Sequence, residues 1–147
     1  MSKHAASVHW SRTAHPLESD TYSRNHQVSL NGEQNVNVSA SKEYKGDSRC
    51  ADPEQLLVTA LASCHMLTFL AIADLQGYRV EQYDDSPVGH LEKLEDGLLG
   101  IGRVELSPKV VFGGTKLPDS NVLARLHAAA HKNCFIRNSL KAKVSIS

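Results

Sequence analysis

Apolar residues gather most densely between Leu56 and Ala73, where only Thr59, Ser63, His65 and Thr68 interrupt them. They recur around most of a 3.6-residue period, which predicts a helix that needs cover on nearly every side. Local chemistry marks its start. Asp52 can cap, Pro53 suits the first helical position, where no amide donor is missed, and Gln55 completes a capping box. Gly77 supplies the stop. Between these signals lie about 24 residues, or roughly 36 Å of helix. The polar interruptions and the closing Asp74 suit a buried helix of a soluble protein better than a lipid-facing one, so no membrane partner is expected.

Upstream, Ser7 to His15, His26 to Leu30 and Asn35 to Ser39 predict three short strands, the latter two joined as a hairpin by Asn31-Gly32. Downstream, Tyr78 to Leu94 and Leu98 to Phe112 predict two long extended arms meeting at Glu95-Asp96-Gly97. Pro87 and Pro108 force bulges or edge positions within them. Asp119 or Ser120 caps a second helix, with Val122, Leu123, Leu126, Ala129 and Ala130 at helical spacing to about Lys132. Leu140 to Ile146 alternates apolar and polar positions, as a strand with one wet face does. No internal repeat or linker breaks the chain, and residues 1–147 are expected to form a single domain.

Composition narrows the partners. Of 147 residues, 41% are hydrophobic, and sixteen basic residues cancel sixteen acidic ones, so no positive field is available to gather phosphates. Nucleic acid is not an expected partner. Met1 to Trp10 holds no apolar run of signal-peptide type, and the three cysteines are an odd number. A reducing cytoplasm is the expected compartment, where a disulfide, once formed, tends to be transient and catalytic.

Cys64 falls deep inside the predicted helix, far from its first turn, so helix position alone does not activate it. Two readings fit it. It is a small buried hydrophobe, or it is a reactive thiolate held by a fixed cation in an apolar pocket. Cys134 follows the second helix at its negative end, where a thiol tends to stay protonated, as suits a resolving partner. Spacing along the chain neither joins nor separates the two. Cys50, in the polar Asp47-Ser48-Arg49 loop, reads as an incidental thiol.

Taken together, Asp52-Pro53-Glu54-Gln55-Leu56-Leu57, Ala60-Leu61-Ala62-Ser63-Cys64 and Ala130-His131-Lys132-Asn133-Cys134, with Asn138 behind, resemble the OsmC/Ohr family of organic hydroperoxide reductases. His65-Met66 after the first cysteine resembles its less characterised OsmC-like branch. The resemblance implies an α+β fold with antiparallel sheets packed on a long buried central helix, and an intertwined homodimer with its sites at the interface. It implies a thiol peroxidase with Cys64 as peroxidatic and Cys134 as resolving cysteine, assisted by Glu54 and by an arginine that Arg24 fits best, Arg12 standing just upstream. It also implies an organic hydroperoxide substrate, no cofactor, and an external dithiol as reductant, by analogy a lipoyl-bearing protein. Leu57, Leu61, Met66, Leu67 and Phe69 are the expected apolar surface around the site, and they serve equally as core. Ten residues of helix separate Glu54 from Cys64 by about 15 Å, so one chain does not readily place both beside one guanidinium. A partner subunit resolves that difficulty.

Two other functions stay open at this level. His127 and His131 at i and i+4, with Cys134, Cys64 and His65, are candidate zinc ligands, although no Cys-x-x-Cys pair occurs. The same fold also serves as a non-catalytic small-molecule-binding module, with Cys64 merely lining a pocket.

Overall fold

In the computed structural model, which describes residues 1–147, the chain forms eight strands and three α-helices. Two compact units divide it, Met1–Leu56 and Leu57–Ser147. The first holds a three-stranded antiparallel sheet of β1 (Ser7–His9), β2 (His26–Ser29) and β3 (Asn35–Val38) in that order. The Asn31-Gly32 hairpin sets the register, with Val28 opposite Val36. β1 is shorter than the sequence pattern suggests. Past it, the Trp10 indole donates to the Ser23 carbonyl, and the His15 ring accepts the amides of Leu17 and Glu18. Those bonds, with an isolated antiparallel bridge between Ala14 and Tyr22, turn the chain at Pro16, and the continuous strand ends at His9.

The long helix α1 runs Pro53–Leu75. Its capping box closes both ways: the Gln55 amide donates to Asp52 Oδ1 at 2.8 Å, and the Asp52 amide donates to Gln55 Oε1 at 3.0 Å. Gly77 ends the helix at φ 79°, a left-handed conformation that a side chain would disfavour. Val58, Leu61, His65, Phe69 and Ala73 are its buried positions, one stripe at helical spacing. The opposite stripe of Ala60, Ser63, Leu67, Ala71 and Leu75 lies open, with Leu67 60% and Leu75 87% exposed. Within one chain, then, α1 is covered along one face only, not on nearly every side as its apolar circumference predicts. Its length and hydropathy match a membrane span, yet its buried stripe carries His65 and packs on protein.

Both extended arms are split where the prolines fall. β4 (Arg79–Asp84) pairs with β7 (Lys109–Gly113), and β5 (Val88–Lys93) pairs with β6 (Leu99–Leu106), all antiparallel. Pro87 and Pro108 lie in the gaps, because neither can donate to a ladder. α2 (Ser120–Asn133) starts at Asp119, whose Oδ1 accepts the Val122 amide at 2.8 Å. A short helix that the sequence pattern does not reveal, α3 (Phe135–Asn138), follows at once and delays the last strand to β8 (Lys143–Ile146). β8 joins β6 in parallel and turns Val144 and Ile146 inward, leaving Lys143 and Ser145 more exposed.

Two apolar clusters fill the second unit. One combines Val58 and Leu61 of α1 with Val104, Leu106 and Cys134. The other combines Phe69 and Ala73 with Leu126 and Ala130 of α2. Each large side chain buried there contributes roughly 1.5–3 kcal/mol. The first cluster places the sulfur chemistry.

Candidate active site

Cys64 lies midway along α1, partly buried, and packs against the first cluster. Cys134 is a fully buried member of that cluster and forms the junction between α2 and α3. Residues 70 positions apart in sequence are thereby brought thiol to thiol, within hydrogen-bonding reach and unlinked.

The electrostatics differ for the two sulfurs. Burial works to raise the Cys64 thiol, but the Ile136 amide, the Cys134 thiol, the Phe135 amide and the Thr68 hydroxyl outweigh it, so the net direction is below the ordinary thiol value. Those two amides open α3, and the first N–H groups of any helix lack partners inside it. Cys64 supplies one sulfur as acceptor and Cys134 the other, for Cys134 Sγ takes the Arg137 amide at 3.4 Å. Thr68 contributes least, because its one hydroxyl proton already goes to the Cys64 carbonyl at 2.8 Å. Burial pushes the Cys134 thiol up, and its neighbour Cys64 adds to this against the opposing Arg137 amide. One thiol is thus primed to ionise and the other to stay protonated.

Among the other residues singled out from sequence, Leu57 and Leu61 share the cluster with both sulfurs. Met66 is half-buried and Leu67 points outward, while Phe69 belongs to the second cluster and stacks on His127 at 4.4 Å between centroids. Arg24 and Glu54 stand in the first unit. The Arg24 guanidinium donates to Thr21 Oγ1 at 2.8 Å and to the Tyr22 carbonyl, and lies 3.9 Å from the centre of the Tyr22 ring. Arg12 approaches the same ring at 5.3 Å. Arg24 also borders a hollow of about 500 Å³ with His15, Leu17, Lys42 and Lys45. Cys50, half-buried, closes a turn on the Asp47 carbonyl.

Sequence patterns did not reveal the backbone amides of Phe135 and Ile136, nor a pairing of the buried His65 imidazole with the half-buried His127. His65 Nε2 and His127 Nδ1 lie 3.1 Å apart with their rings nearly parallel. Burial lowers His65 to about 4, helped by His127 and His131, and burial also lowers His127 despite the opposing Asp85. Both are neutral at physiological pH, and one shared proton satisfies the pair. No three His, Cys, Asp or Glu side chains converge as a metal would require.

The OsmC-like protein family model matches residues 46–147, which include both cysteines and every element from α1 to β8. The chain belongs to the OsmC-like family. An OsmC-like protein of unknown function from Vibrio cholerae is 41% identical, superposes with a TM-score of 0.93, and is covered over 99% of its chain by 100% of this one. An organic hydroperoxide resistance protein OsmC from Legionella pneumophila is 21% identical with a TM-score of 0.73, covering 100% of this chain and 95% of that one. The organic hydroperoxide resistance protein OhrB of Bacillus subtilis is 18% identical with a TM-score of 0.67, covering 99% and 95%. The fold is the α+β OsmC-like one, with several antiparallel sheets and a long central helix. No curated protein matches the chain at a significant level.

Proposed function

We propose that this OsmC-like protein is a cysteine-based peroxidase that reduces organic hydroperoxides to alcohols. The observation that carries the proposal is the pairing of an acidified Cys64 thiol with a buried, protonated Cys134 thiol. The Cys64 thiolate attacks the terminal oxygen of ROOH, an S–O bond forms, the O–O bond breaks, and the departing alkoxide takes a proton to leave as ROH. Cys134 then attacks the Cys64 sulfenic sulfur, releasing water and forming a Cys64–Cys134 disulfide. An external dithiol, such as a lipoyl-bearing protein, supplies the two electrons and two protons that restore both thiols. Two sulfurs suffice, and no cofactor enters. A reducing compartment such as the cytoplasm keeps the dithiol available.

Arg24 is assigned to bind the thiolate and peroxide, with Glu54 fixing its fork through a bidentate pair. A homodimer brings these groups to the sulfur. The open apolar stripe of α1 supports a second copy as its cover, because an isolated chain leaves Leu67 and Leu75 in water. The likeness in fold to two organic hydroperoxide resistance proteins supports the substrate class.

The test is to add one equivalent of an alkyl hydroperoxide to the purified chain and map thiols by mass spectrometry. Loss of both Cys64 and Cys134 thiols with a linking disulfide is expected, and Cys64→Ser should abolish consumption. Persistently reduced Cys64 would overturn the peroxidase and leave a small-molecule-binding module.

A further inference from the structure

The second unit has a hollow of about 490 Å³ lined by His131, Arg137, Asn138, Leu140, Lys141 and Lys143 among others. Every charged residue in that lining is basic, on a chain whose charges cancel overall. Arg137 and Lys143 have no carboxylate partner within ion-pair distance; the one side-chain bond of the Arg137 guanidinium is to Asn138 Oδ1 at 3.1 Å. Lys141 reaches Asp96 only at 3.5 Å, and both are exposed, so that pair contributes little. His131 Nδ1 is buried and has no hydrogen-bond partner at all. A buried unpartnered ring nitrogen costs stability, and its place beside an unpaired guanidinium points to something absent from the isolated chain.

We propose that this hollow is a ligand site for a small oxyanion, held by the Arg137 fork, a donated His131 Nδ1–H and the Lys143 ammonium. A carboxylate or phosphate edge matches the planar fork and takes two N–H bonds from it. The imidazole suits the role as the neutral Nδ1–H tautomer, since burial and then the neighbouring Arg137 hold it below its ordinary value. Position gives the site meaning. Arg137 and Asn138 line the hollow from the same single turn of helix whose first amides reach Cys64, so one four-residue helix borders both sites. Two sources fit the chemistry: a free inorganic anion, or the carboxylate of a hydroperoxide that carries an acid group. The second source rests on the peroxidase proposal; the site itself does not.

The experiment is an NMR titration of the His131 ring in the full chain with inorganic phosphate and, separately, with acetate. Saturable movement of the His131 resonance at millimolar anion is expected. Arg137→Gln should weaken it about tenfold or more, through the loss of the charge-assisted fork. Lys143→Gln, at an exposed position, should weaken it less, and Arg103→Gln, outside the hollow, should leave it unchanged. An immobile His131 resonance with both anions, or equal binding by Arg137→Gln, overturns the site. Comparing kcat/KM for an acid hydroperoxide and its methyl ester identifies the source. A preference for the acid that Arg137→Gln erases assigns the substrate carboxylate, and equal rates assign the free anion. Failure to consume any hydroperoxide would remove the peroxidase while leaving the His131 titration to decide the anion site.

Discussion

The Arg137 amide donates to the Cys134 sulfur, so the buried thiol caps the helix that begins immediately after it. Two substitutions separate this cap from the redox role. Cys134→Ser keeps an acceptor at the cap and should unfold near the wild-type urea midpoint, whereas Cys134→Ala should lose about 1 kcal/mol more. Both should consume one equivalent of hydroperoxide and stall with Cys64 as sulfenic acid, trapped by dimedone and seen by mass spectrometry. Equal midpoints for the two variants would remove the cap from the account.

Loss of the Cys134 thiol proton should also be felt at Cys64. The ultraviolet absorbance of the thiolate should titrate at higher pH in Cys134→Ala than in the wild type, because one of the donors to Cys64 is gone. An unchanged titration would assign the acidification to the Phe135 and Ile136 amides and Thr68.

The imidazole pair predicts acid sensitivity. In the unfolded chain these rings take up protons near their ordinary value of 6.5, while folded His65 does so only near 4. Between those values the unfolded state binds more protons, so stability is full above 6.5, falls as pH falls, and levels off below about 4. The loss attributable to His65 should be about 3 kcal/mol. Urea midpoints across this window should slope less steeply in His65→Leu, even though that variant is weaker at neutral pH for leaving His127 unpartnered.

Strand β5 passes so close to α1 that a Cβ on Gly89 would stand 2.6 Å from Val58 Cγ2. Gly89→Ala should therefore destabilise the fold by about 1–3 kcal/mol. Adding Val58→Ala makes room, and the double variant should lose less than the sum of the single losses in denaturant melts.

Leu67 sits in the open stripe of α1. Leu67→Glu should retain the helical circular-dichroism spectrum and elute as a monomer, against the homodimer proposed for the wild type. An unaffected dimer would place the subunit interface elsewhere.

Where local chemistry decides structure, the sequence was readable. Asp52, Pro53 and Gln55 start α1 through bonds within one turn, Pro87 and Pro108 divide the arms, and Asp119 caps α2. What it hid was non-local or carried by the backbone. The parallel partnership of β6 and β8 leaves no mark on either strand's alternation. α3 is four residues long, too short for a period to register, and its amides belong to every residue type alike. Its one legible trace is a cysteine standing where a capping residue belongs. The His65–His127 pair escaped for a related reason: the i, i+4 spacing of His127 and His131 drew attention to a metal, whereas the ring that meets His127 comes from a different helix.

The parallel seam between β6 and β8 also bears on how the protein is made. Val144 and Ile146 wall the same cluster that holds Cys134 against Cys64. Until Ile146 has emerged from the ribosome, that wall is missing and the sulfurs have no enclosed place to meet. During synthesis, therefore, Cys64 and Cys134 are expected to come together only after translation has passed the last strand.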